Sequence, residues 1–297
     1  MGARSVAVVN WRAYLRLSRV SNLPTVWSNV LAGVVLAGGR PSAGALFGLG
    51  VSLSLFYTGG MFLNDAFDRE IDARERPERP IPAGEVGVGA AFGVGFAMLA
   101  AGWSVLLLHV WQAGGRGGGA LLAGAALAGV IVLYDAWHKG NPLSPVVMGL
   151  CRALAYLVAG LAVSARPTPA LLAGALVILA YLIGLTYAAK QENLARVQNL
   201  WPLVFLAAPF VYGAGAVGRS VTGTALYVGF LGWTLFALWL MLRRRGTDIR
   251  RAVVGLIAAI SLVDALLIAR HGPPALAWLA VLAFAATLFL QRYVRGS

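Results

Sequence analysis

The residues best suited to chemistry lie in one polar stretch, Asn64 to Gly84, of a chain that is otherwise mostly apolar. Six of the eleven carboxylates fall between Asp65 and Glu78. On an α-helix an arc of about 100° holds four polar residues, Asn64, Asp65, Asp68 and Asp72. Like charges on one face repel unless a cation lies among their oxygens, and Mg²⁺ prefers carboxylate, amide and water oxygens that it can share with phosphate. The stretch therefore predicts a magnesium and phosphate site; the alternative is a solvated helix in a loop.

The composition places this stretch in a membrane protein. Hydrophobic residues make up 59% of the chain and charged residues 12%, and the mean hydropathy is +0.77, far from the values of soluble proteins. Apolar runs of about 20 residues can cross a bilayer as helices. We predict ten spans, at 22–39, 44–63, 87–112, 118–136, 144–164, 169–189, 199–217, 222–242, 252–270 and 273–294. The predicted fold is an all-α polytopic membrane protein, one domain over 1–297, with its helices around a central cavity.

The net charge of +13 is explained by topology. With ten spans, 18 of the 24 Lys and Arg residues fall on one side of the membrane and five on the other, with Arg152 inside a span. This asymmetry predicts that both termini and the acidic stretch face the cytoplasm, in the plasma membrane. Anionic membrane lipid accounts for the basic loops, so no nucleic acid partner is expected. The first span does not look like a signal peptide, because no small-residue cleavage site follows it.

The acidic stretch resembles a known motif. Asn64, Asp65, Asp68 and Asp72 spell NDxxDxxxD, and the run RPERPIP with Gly84 follows. This combination is similar to the first aspartate-rich motif of the UbiA superfamily of intramembrane prenyltransferases. The resemblance implies that the four residues hold Mg²⁺ bound to an isoprenoid diphosphate, that Asp65 and Asp68 are catalytic, and that Arg79 is a cation beside the phosphate. It implies transfer of a prenyl group to a lipophilic or aromatic acceptor within the membrane, with Mg²⁺-assisted loss of pyrophosphate.

A second segment of the resemblance ends the fourth span, in YDAWHKGNPLSPVVMG. The family has a tyrosine there, followed four residues later by Lys-Arg, which serve diphosphate binding. Here Tyr134 agrees, while His138 and Lys139 take the places of Lys and Arg. The resemblance implies catalytic roles for Tyr134 and Lys139 and substrate binding by His138, whose charge depends on pH. Asp135 is expected to be a carboxylate at the membrane interface.

The sixth span brings a departure from the family, which carries a second aspartate-rich motif there. In GLTYAAKQENLARVQN the expected acids fall on Gly184 and Gln191, so that Glu192 alone supplies a carboxylate. A metal at Glu192 would have few anionic ligands. We expect Lys190 to contribute a fixed cation to the diphosphate, with Asn193 beside it as a substrate-binding residue.

Polar residues inside the spans are further candidates. Arg152 lies about two turns into the fifth span, where a charge is expensive unless it faces a cavity or a partner. Substrate binding is one interpretation; the alternative is a structural pair with Asp135 or Asp264. Asn29 in the first span either lines a polar cavity and binds substrate or bonds a neighbouring helix.

The resemblance covers most of the first 200 residues. The segments SNLPTVWSNVLAG, HKGNPLSPVVMGLCRALAY and LTYAAKQE are most similar to the branch called EboC-like. The family typically has nine spans, which makes the expected number nine to ten, with 252–294 as the region where one segment lies flat or re-enters. Two alternatives to prenyl transfer stay open: a UbiA-like protein that binds or transports an isoprenoid-related metabolite without transferring it, and an unrelated transporter.

Overall fold

Helices form all the regular secondary structure of the residues that the computed structural model describes, which are 10–40, 42–115, 117–190, 200–243 and 245–294. In chain order the α-helices are α1 (Trp11–Ser18), α2 (Leu23–Leu36), α3 (Ala43–Phe67), α4 (Arg69–Glu75), α5 (Val88–Gln112), α6 (Gly118–Trp137), α7 (Ser144–Val163), α8 (Pro169–Lys190), α9 (Ala208–Gly213), α10 (Val221–Arg243), α11 (Asp248–Ala258), α12 (Ile260–His271) and α13 (Pro274–Leu290). Short 3₁₀ turns precede α2 and flank α9.

All ten predicted spans coincide with apolar helical segments. In the described ranges, seven of these segments are long and apolar enough to cross a membrane, with α11 and α12 counted as one segment. Three are shorter, at Val20–Leu36, Trp201–Ala216 and Pro274–Leu290. The chain is therefore an all-helical, multi-pass membrane protein, whereas nine to ten crossings stay a prediction.

The pair α11 and α12 forms the centre of the bundle. Of its most apolar window 83% is buried, compared with 28% in α5 and in α6, whose outer faces remain open. A change of direction at Ala259 separates the two helices, since this residue caps α11 and precedes α12. A burial difference of this size distinguishes a helix enclosed by other helices from helices at the periphery. The region 252–294, in which the sequence predicts a flat or re-entrant segment, therefore contributes residues to the core of the bundle.

Close packing of α2 against α7 places the polar residues of these helices beside each other. A Cβ atom on Gly33 would lie 2.8 Å from the carbonyl oxygen of Tyr156, and one on Gly160 would lie 3.0 Å from the carbonyl oxygen of Gly33. Small residues allow two backbones to approach in this way. The contact fixes the register of α2 on α7, and with it the position of Asn29 beside Arg152.

The N-terminal helix α1 is amphipathic. Ala13 and Leu17 are buried against α3 and the 80s loop, while Trp11 is 61% exposed. Arg16 and Asn10 both donate hydrogen bonds to Glu85. These contacts hold α1 against the loop that carries the end of the acidic stretch.

Candidate active site

A cavity of about 530 Å³ opens between the ends of α3, α6, α7 and α8. Its wall is mainly apolar, and includes Val26, Leu53, Phe56, Leu127, Ile131, Leu182, Leu185, Ile257 and Ile260. Polar side chains at the helix ends form what we call the charged rim: Arg19, Asn64, Asp68, Arg79, His138, Lys139 and Lys190. The combination suits a ligand with a charged head and an apolar chain.

The first motif is divided between the cavity and the protein interior. Asn64 and Asp65 lie in the last turn of α3, Asp68 caps that helix and Asp72 follows in α4. Each of the four side chains belongs to a residue that is at most 8% exposed. Asn64 and Asp68 line the cavity. Asp65 and Asp72 instead contact Arg79, at 3.3 Å and 2.6 Å. The single helix face expected from the spacing is broken because α3 ends at Phe67 and α4 begins after an interruption at Asp68.

Arg19 is a rim residue that the sequence did not single out. Its guanidinium lies 2.8 Å from Asp65 and 3.4 Å from the Asn64 amide oxygen. It is also the only non-glycine with a positive φ, +45°, in the described part of the chain. An arginine held in this sparsely populated conformation is fixed by its surroundings. The contact with Asp65 raises the pKa of Arg19 against the opposing effect of burial.

Asp68 and Asp72 lie outside the membrane-spanning helices, and their pKa values are shifted in opposite directions. For Asp68, burial acts to raise the pKa, but the hydrogen bond and charge of His138, with those of Lys139, outweigh it and lower the pKa. For Asp72, burial raises the pKa more than Arg79 lowers it. Asp68 is therefore held as an anion that faces the cavity.

His138 and Lys139 contact the first motif at Asp68, and Tyr134 packs against His138. The rings of Tyr134 and His138 stack with centroids 4.8 Å apart. His138 Nε2 and Lys139 Nζ each lie 3.4 Å from Asp68 Oδ2. The substituted pair thus provides the cationic side of the rim. Lys139 is partly open, with a side chain 44% exposed.

Lys190 lies in the rim at the end of α8, beside the segment that joins α6 to α7. Its ammonium donates to the Asn141 carbonyl oxygen at 3.1 Å and to Ser144 Oγ at 2.6 Å, at the start of α7. Lys190 lines the cavity, and its cationic role towards a diphosphate stays a prediction. The other predicted residues of this segment, Glu192 and Asn193, lie outside the described residues.

Asp135 lies in the cavity wall, in the last turn of α6, and the interfacial position expected from the sequence stays a prediction. It is 4% exposed and accepts a hydrogen bond from the Asn64 amide at 3.2 Å. Its second oxygen, Oδ2, is buried without a hydrogen-bond partner among the described residues. In the sequence, the position of Asp135 beside Tyr134 was the signal for a site residue. The direction of its side chain depends on how α6 packs against α3.

The described residues contain no preformed cluster of three His, Cys, Asp or Glu side chains that could hold a metal ion. Arginine side chains lie beside these acids instead: Arg19 and Arg79 contact Asp65, and Arg79 also contacts Asp72. The oxygens of Asn64, Asp68 and Asp135 nevertheless face the cavity or lie in its wall, and they are ligands of the kind that Mg²⁺ prefers. The unpartnered Asp135 oxygen supports a fit to a bound cation. The predicted set of Asn64, Asp65, Asp68 and Asp72 stays a prediction.

A second group of polar residues lies inside the bundle, and we call it the inner polar cluster: Thr25, Ser28, Asn29, Arg152, Tyr156 and Asp264. Asp264 is fully buried and accepts hydrogen bonds from Asn29, at 3.0 and 2.8 Å to its two oxygens, and from Tyr156 and Ser28. Arg152 donates to the Asn29 amide oxygen at 2.6 Å and to Thr25 Oγ1 at 3.1 Å. The amide of Asn29 therefore stands between the cation and the carboxylate.

This arrangement bears on the two interpretations of Arg152, of which substrate binding stays a prediction. No carboxylate of the described ranges forms a salt bridge with Arg152, so the direct pair with Asp135 or Asp264 is absent. Arg152 lines the cavity, with its guanidinium carbon 5.7 Å from the centre of the Tyr57 ring. Asn29 was predicted to bind substrate, but it is fully buried and reaches the cavity only through Arg152. Its hydrogen bonds to Arg152 on α7 and Asp264 on α12 fit the alternative, a bond to a neighbouring helix.

Fold and site together define a polytopic helical membrane protein with a cavity that has a charged rim and an apolar wall. The sequence pattern of the UbiA prenyltransferase family matches residues 26–199. A digeranylgeranylglyceryl phosphate synthase from Methanopyrus kandleri is 33% identical over 228 residues, which are 74% of this chain and 77% of the relative. The chain belongs to the UbiA prenyltransferase family.

Solved structures share the fold. A UbiA homolog from Aeropyrum pernix K1 matches with a TM-score of 0.63 at 15% identity, over 84% of this chain and 96% of the homolog. A UbiA homolog from Archaeoglobus fulgidus, bound to DMAPP and Mg²⁺, matches with a TM-score of 0.52 at 15% identity, over 95% and 99%. The superfamily resemblance is thus confirmed, while the narrower EboC-like placement is not.

Proposed function

We propose that this protein transfers a prenyl group from an isoprenoid diphosphate to a lipophilic or aromatic acceptor within the membrane. The observation that carries the proposal is the cavity itself, in which the charged rim lies next to an apolar wall. A prenyl diphosphate has the same division, with a polyanionic head and a hydrocarbon chain. The membership of the chain in a prenyltransferase family supports the reaction type.

The named relatives support the substrates. The Archaeoglobus homolog is bound to DMAPP and Mg²⁺, an isoprenoid diphosphate with the cation that the rim acids suit. The Methanopyrus relative is named for a product that contains prenyl groups and a glyceryl phosphate. A lipid of the glyceryl phosphate type is therefore a candidate acceptor for this chain, beside an aromatic one.

The charged rim would bind the diphosphate. Asn64, Asp68 and Asp135, with Asp65 and Asp72 after release from their arginines, would hold Mg²⁺, which when bound stabilises negative charge on phosphate oxygens. Arg79, Lys139 and Lys190 would contact the phosphate oxygens, and charge-assisted hydrogen bonds of this type are strong. Together these residues would orient the head group and stabilise the charge on departing pyrophosphate.

The apolar wall would receive the prenyl chain and exclude water. Phe56, Leu127 and Ile131 line the wall below the rim. In the reaction the bond from C1 to the diphosphate oxygen breaks, with its electron pair leaving on pyrophosphate. A bond from C1 to the acceptor forms, and the acceptor releases a proton. Exclusion of water prevents hydrolysis of the developing allylic cation.

The test is a transfer assay on the full-length protein in lipid nanodiscs. It uses Mg²⁺, labelled geranylgeranyl diphosphate and two acceptors, geranylgeranylglyceryl phosphate and 4-hydroxybenzoate. We expect a prenylated product and pyrophosphate with at least one acceptor, and loss of both in Asp68→Asn. Tight diphosphate binding without product from either acceptor would contradict the proposal.

That outcome would favour a second candidate, a protein that binds an isoprenoid diphosphate without transferring it. The observation behind it is the pairing of Asp65 and Asp72 with Arg79, together with the absence of a preformed three-acid cluster in the described part of the chain. Sites that bind an anion by fixed cations need no metal. Diphosphate binding that does not respond to EDTA would support this candidate.

We also propose one transmembrane unit over residues 1–297, oriented in the plasma membrane with both termini and the charged rim towards the cytoplasm. The uneven distribution of Lys and Arg supports this orientation. Cysteine labelling of intact cells, in a Cys151→Ala background, tests it. Arg219→Cys should react from outside and Glu78→Cys should not, since both positions are exposed in the structure. Equal labelling of the two would contradict the orientation.

A further inference from the structure

Arg152 places a positive charge well inside the cavity. Its guanidinium lies against Tyr57, and Tyr57 precedes the rim residue Asn64 by seven positions on α3. Seven residues of α-helix extend about 10 Å, or two turns. Arg152 therefore lies about two helical turns deeper in the cavity than the rim residue Asn64. This depth exceeds the length of a diphosphate group.

The inner polar cluster holds Arg152 in one orientation. Two of its nitrogens are anchored, one to Asn29 and one to Thr25. Asn29 is itself held by both oxygens of Asp264, and that carboxylate is fixed by Tyr156 and Ser28. Because α2 and α7 pack closely at Gly33, the packing of these two helices sets the distance between Asn29 and Arg152. Arg152 is therefore preorganised, and a guanidinium has five N–H donors, more than the two anchors use.

Among the described residues, Arg152 has a distant counter-ion but no direct one. Asp264 balances the cluster as a whole, yet the Asn29 amide separates the two charges. A buried arginine without a contacting carboxylate is an unusual arrangement in a membrane protein, where such charges line ligand paths. Phosphate and carboxylate groups match the planar fork of a guanidinium. The cavity side of Arg152 consequently suits an anionic group of a ligand.

We propose that Arg152 binds an anionic group of the acceptor, a phosphate or a carboxylate, at a subsite separate from the diphosphate site of the charged rim. This inference rests on the proposed function, since it requires a second substrate. Asn29 and Asp264 are positioning residues that act through Arg152. The acceptor is then an acidic molecule, and neutral acceptors of the same shape bind less tightly.

Direct binding of matched probes tests this subsite without requiring transfer. The full-length protein in nanodiscs is titrated with two pairs that differ in the anion: geranylgeranylglyceryl phosphate against geranylgeranylglycerol, and 4-hydroxybenzoate against its methyl ester. Wild type should bind the anionic member of at least one pair more tightly. The pair that shows the preference distinguishes phosphate from carboxylate.

Arg152→Gln should reduce the preference at least about tenfold, because it removes the charge while keeping a polar side chain of similar length. The Kd for geranylgeranyl diphosphate with Mg²⁺ should stay within about twofold of wild type. Arg152→Lys keeps the charge without the planar fork and should retain part of the preference. This second variant also serves if the first does not fold. Arg166→Gln, at an exposed loop position outside the cavity lining, is the matched control and should behave as wild type.

Three results would overturn the subsite. They are equal binding of both members of each pair by wild type, an unchanged preference in Arg152→Gln, and a loss of diphosphate affinity in that variant as large as the loss of preference. A protein that shows the expected binding but forms no product in the transfer assay would retain the subsite and lose the proposed reaction.

Discussion

The charged rim and the inner polar cluster stabilise buried carboxylates in different ways. Rim arginines contact Asp65 and Asp72, which lie just behind the rim, and His138 and Lys139 contact Asp68. In the inner cluster, neutral donors surround Asp264 and the nearest cation is one amide away. Direct ion pairs at a cavity mouth can be exchanged for a metal and a phosphate. A network of neutral hydrogen bonds inside the bundle fixes geometry instead.

The difference predicts which residues bind substrate and which stabilise the fold. The acids of the first motif should matter most for ligand binding, because their partners are cationic side chains that line the cavity. Asp264 should matter most for stability, because its removal leaves several buried donors without an acceptor. The following experiments test this division, in order of decreasing expected effect.

Asp264→Ala should lower the free energy of unfolding by about 3 kcal/mol, since it leaves Asn29, Tyr156 and Arg152 without their buried acceptor or counter-charge. Asp264→Asn should cost less, because one oxygen still accepts. Unfolding is measured by steric trapping in bicelles. The control is Glu85→Gln, which breaks the partly exposed pair with Arg16 and should cost no more than about 1 kcal/mol. Equal losses in Asp264→Ala and Glu85→Gln would remove the distinction between the two regions.

Asp65→Asn combined with Asp68→Asn should weaken Mg²⁺-dependent binding of geranylgeranyl diphosphate at least tenfold, or about 1.4 kcal/mol. The reason is the loss of two anionic ligands and of the partner of Arg19. Calorimetry with and without EDTA measures the effect. Glu70→Gln with Glu78→Gln removes the same charge at exposed positions of the same stretch and should bind as wild type. If the double Asp variant binds as tightly as wild type and responds equally to EDTA, the rim is not the metal site.

Lys190→Ala should weaken diphosphate binding about fivefold, or roughly 1 kcal/mol, by removing a cation from the rim. Glu192→Gln should have a smaller effect if Lys190 replaces the second metal of the family. Arg74→Ala removes a positive charge from an exposed position of α4 outside the cavity lining and is the control. Gln191→Asp, which restores one acid of the second motif, should raise metal affinity. A larger effect of Glu192→Gln than of Lys190→Ala would favour a second metal site.

The pH dependence of stability should distinguish Asp68 from Asp72, and this is the smallest effect. The pKa of Asp68 is lowered, so its contribution is fully present above the ordinary carboxyl pKa of 3.8 and is lost as pH falls through the lower folded value. The pKa of Asp72 is raised, so the folded protein takes up a proton there first and gains stability on acidification. Thermal melting against pH should show a shallower acid-side loss in Asp68→Asn. In Asp72→Asn the loss should begin at higher pH. Identical profiles for the two variants would contradict the assigned directions.

The sequence by itself determined the features that depend on local composition. Ten apolar runs were predicted and ten apolar helical segments are present, because the length and hydropathy of a run decide whether it can form a buried helix. The acidic motif and the pair His138 and Lys139 were recognised because their chemistry depends on short spacings. The proximity of Asp68 to that pair follows from both lying at the ends of helices on one side of the membrane.

Only the tertiary structure decided which way the polar side chains face. The packing of helices distant in sequence sets their rotation, so spacing within one helix could not show that Asp65 and Asp72 face Arg79 while Asp68 faces the cavity. The same holds for Asp135, whose burial depends on the contact of α6 with α3, and for Asp264. Asp264 lies more than 230 positions from Ser28 and Asn29 in the chain. These residues meet because close packing at Gly33 and the burial of α12 bring three helices together, and hydropathy carries no information about such a contact.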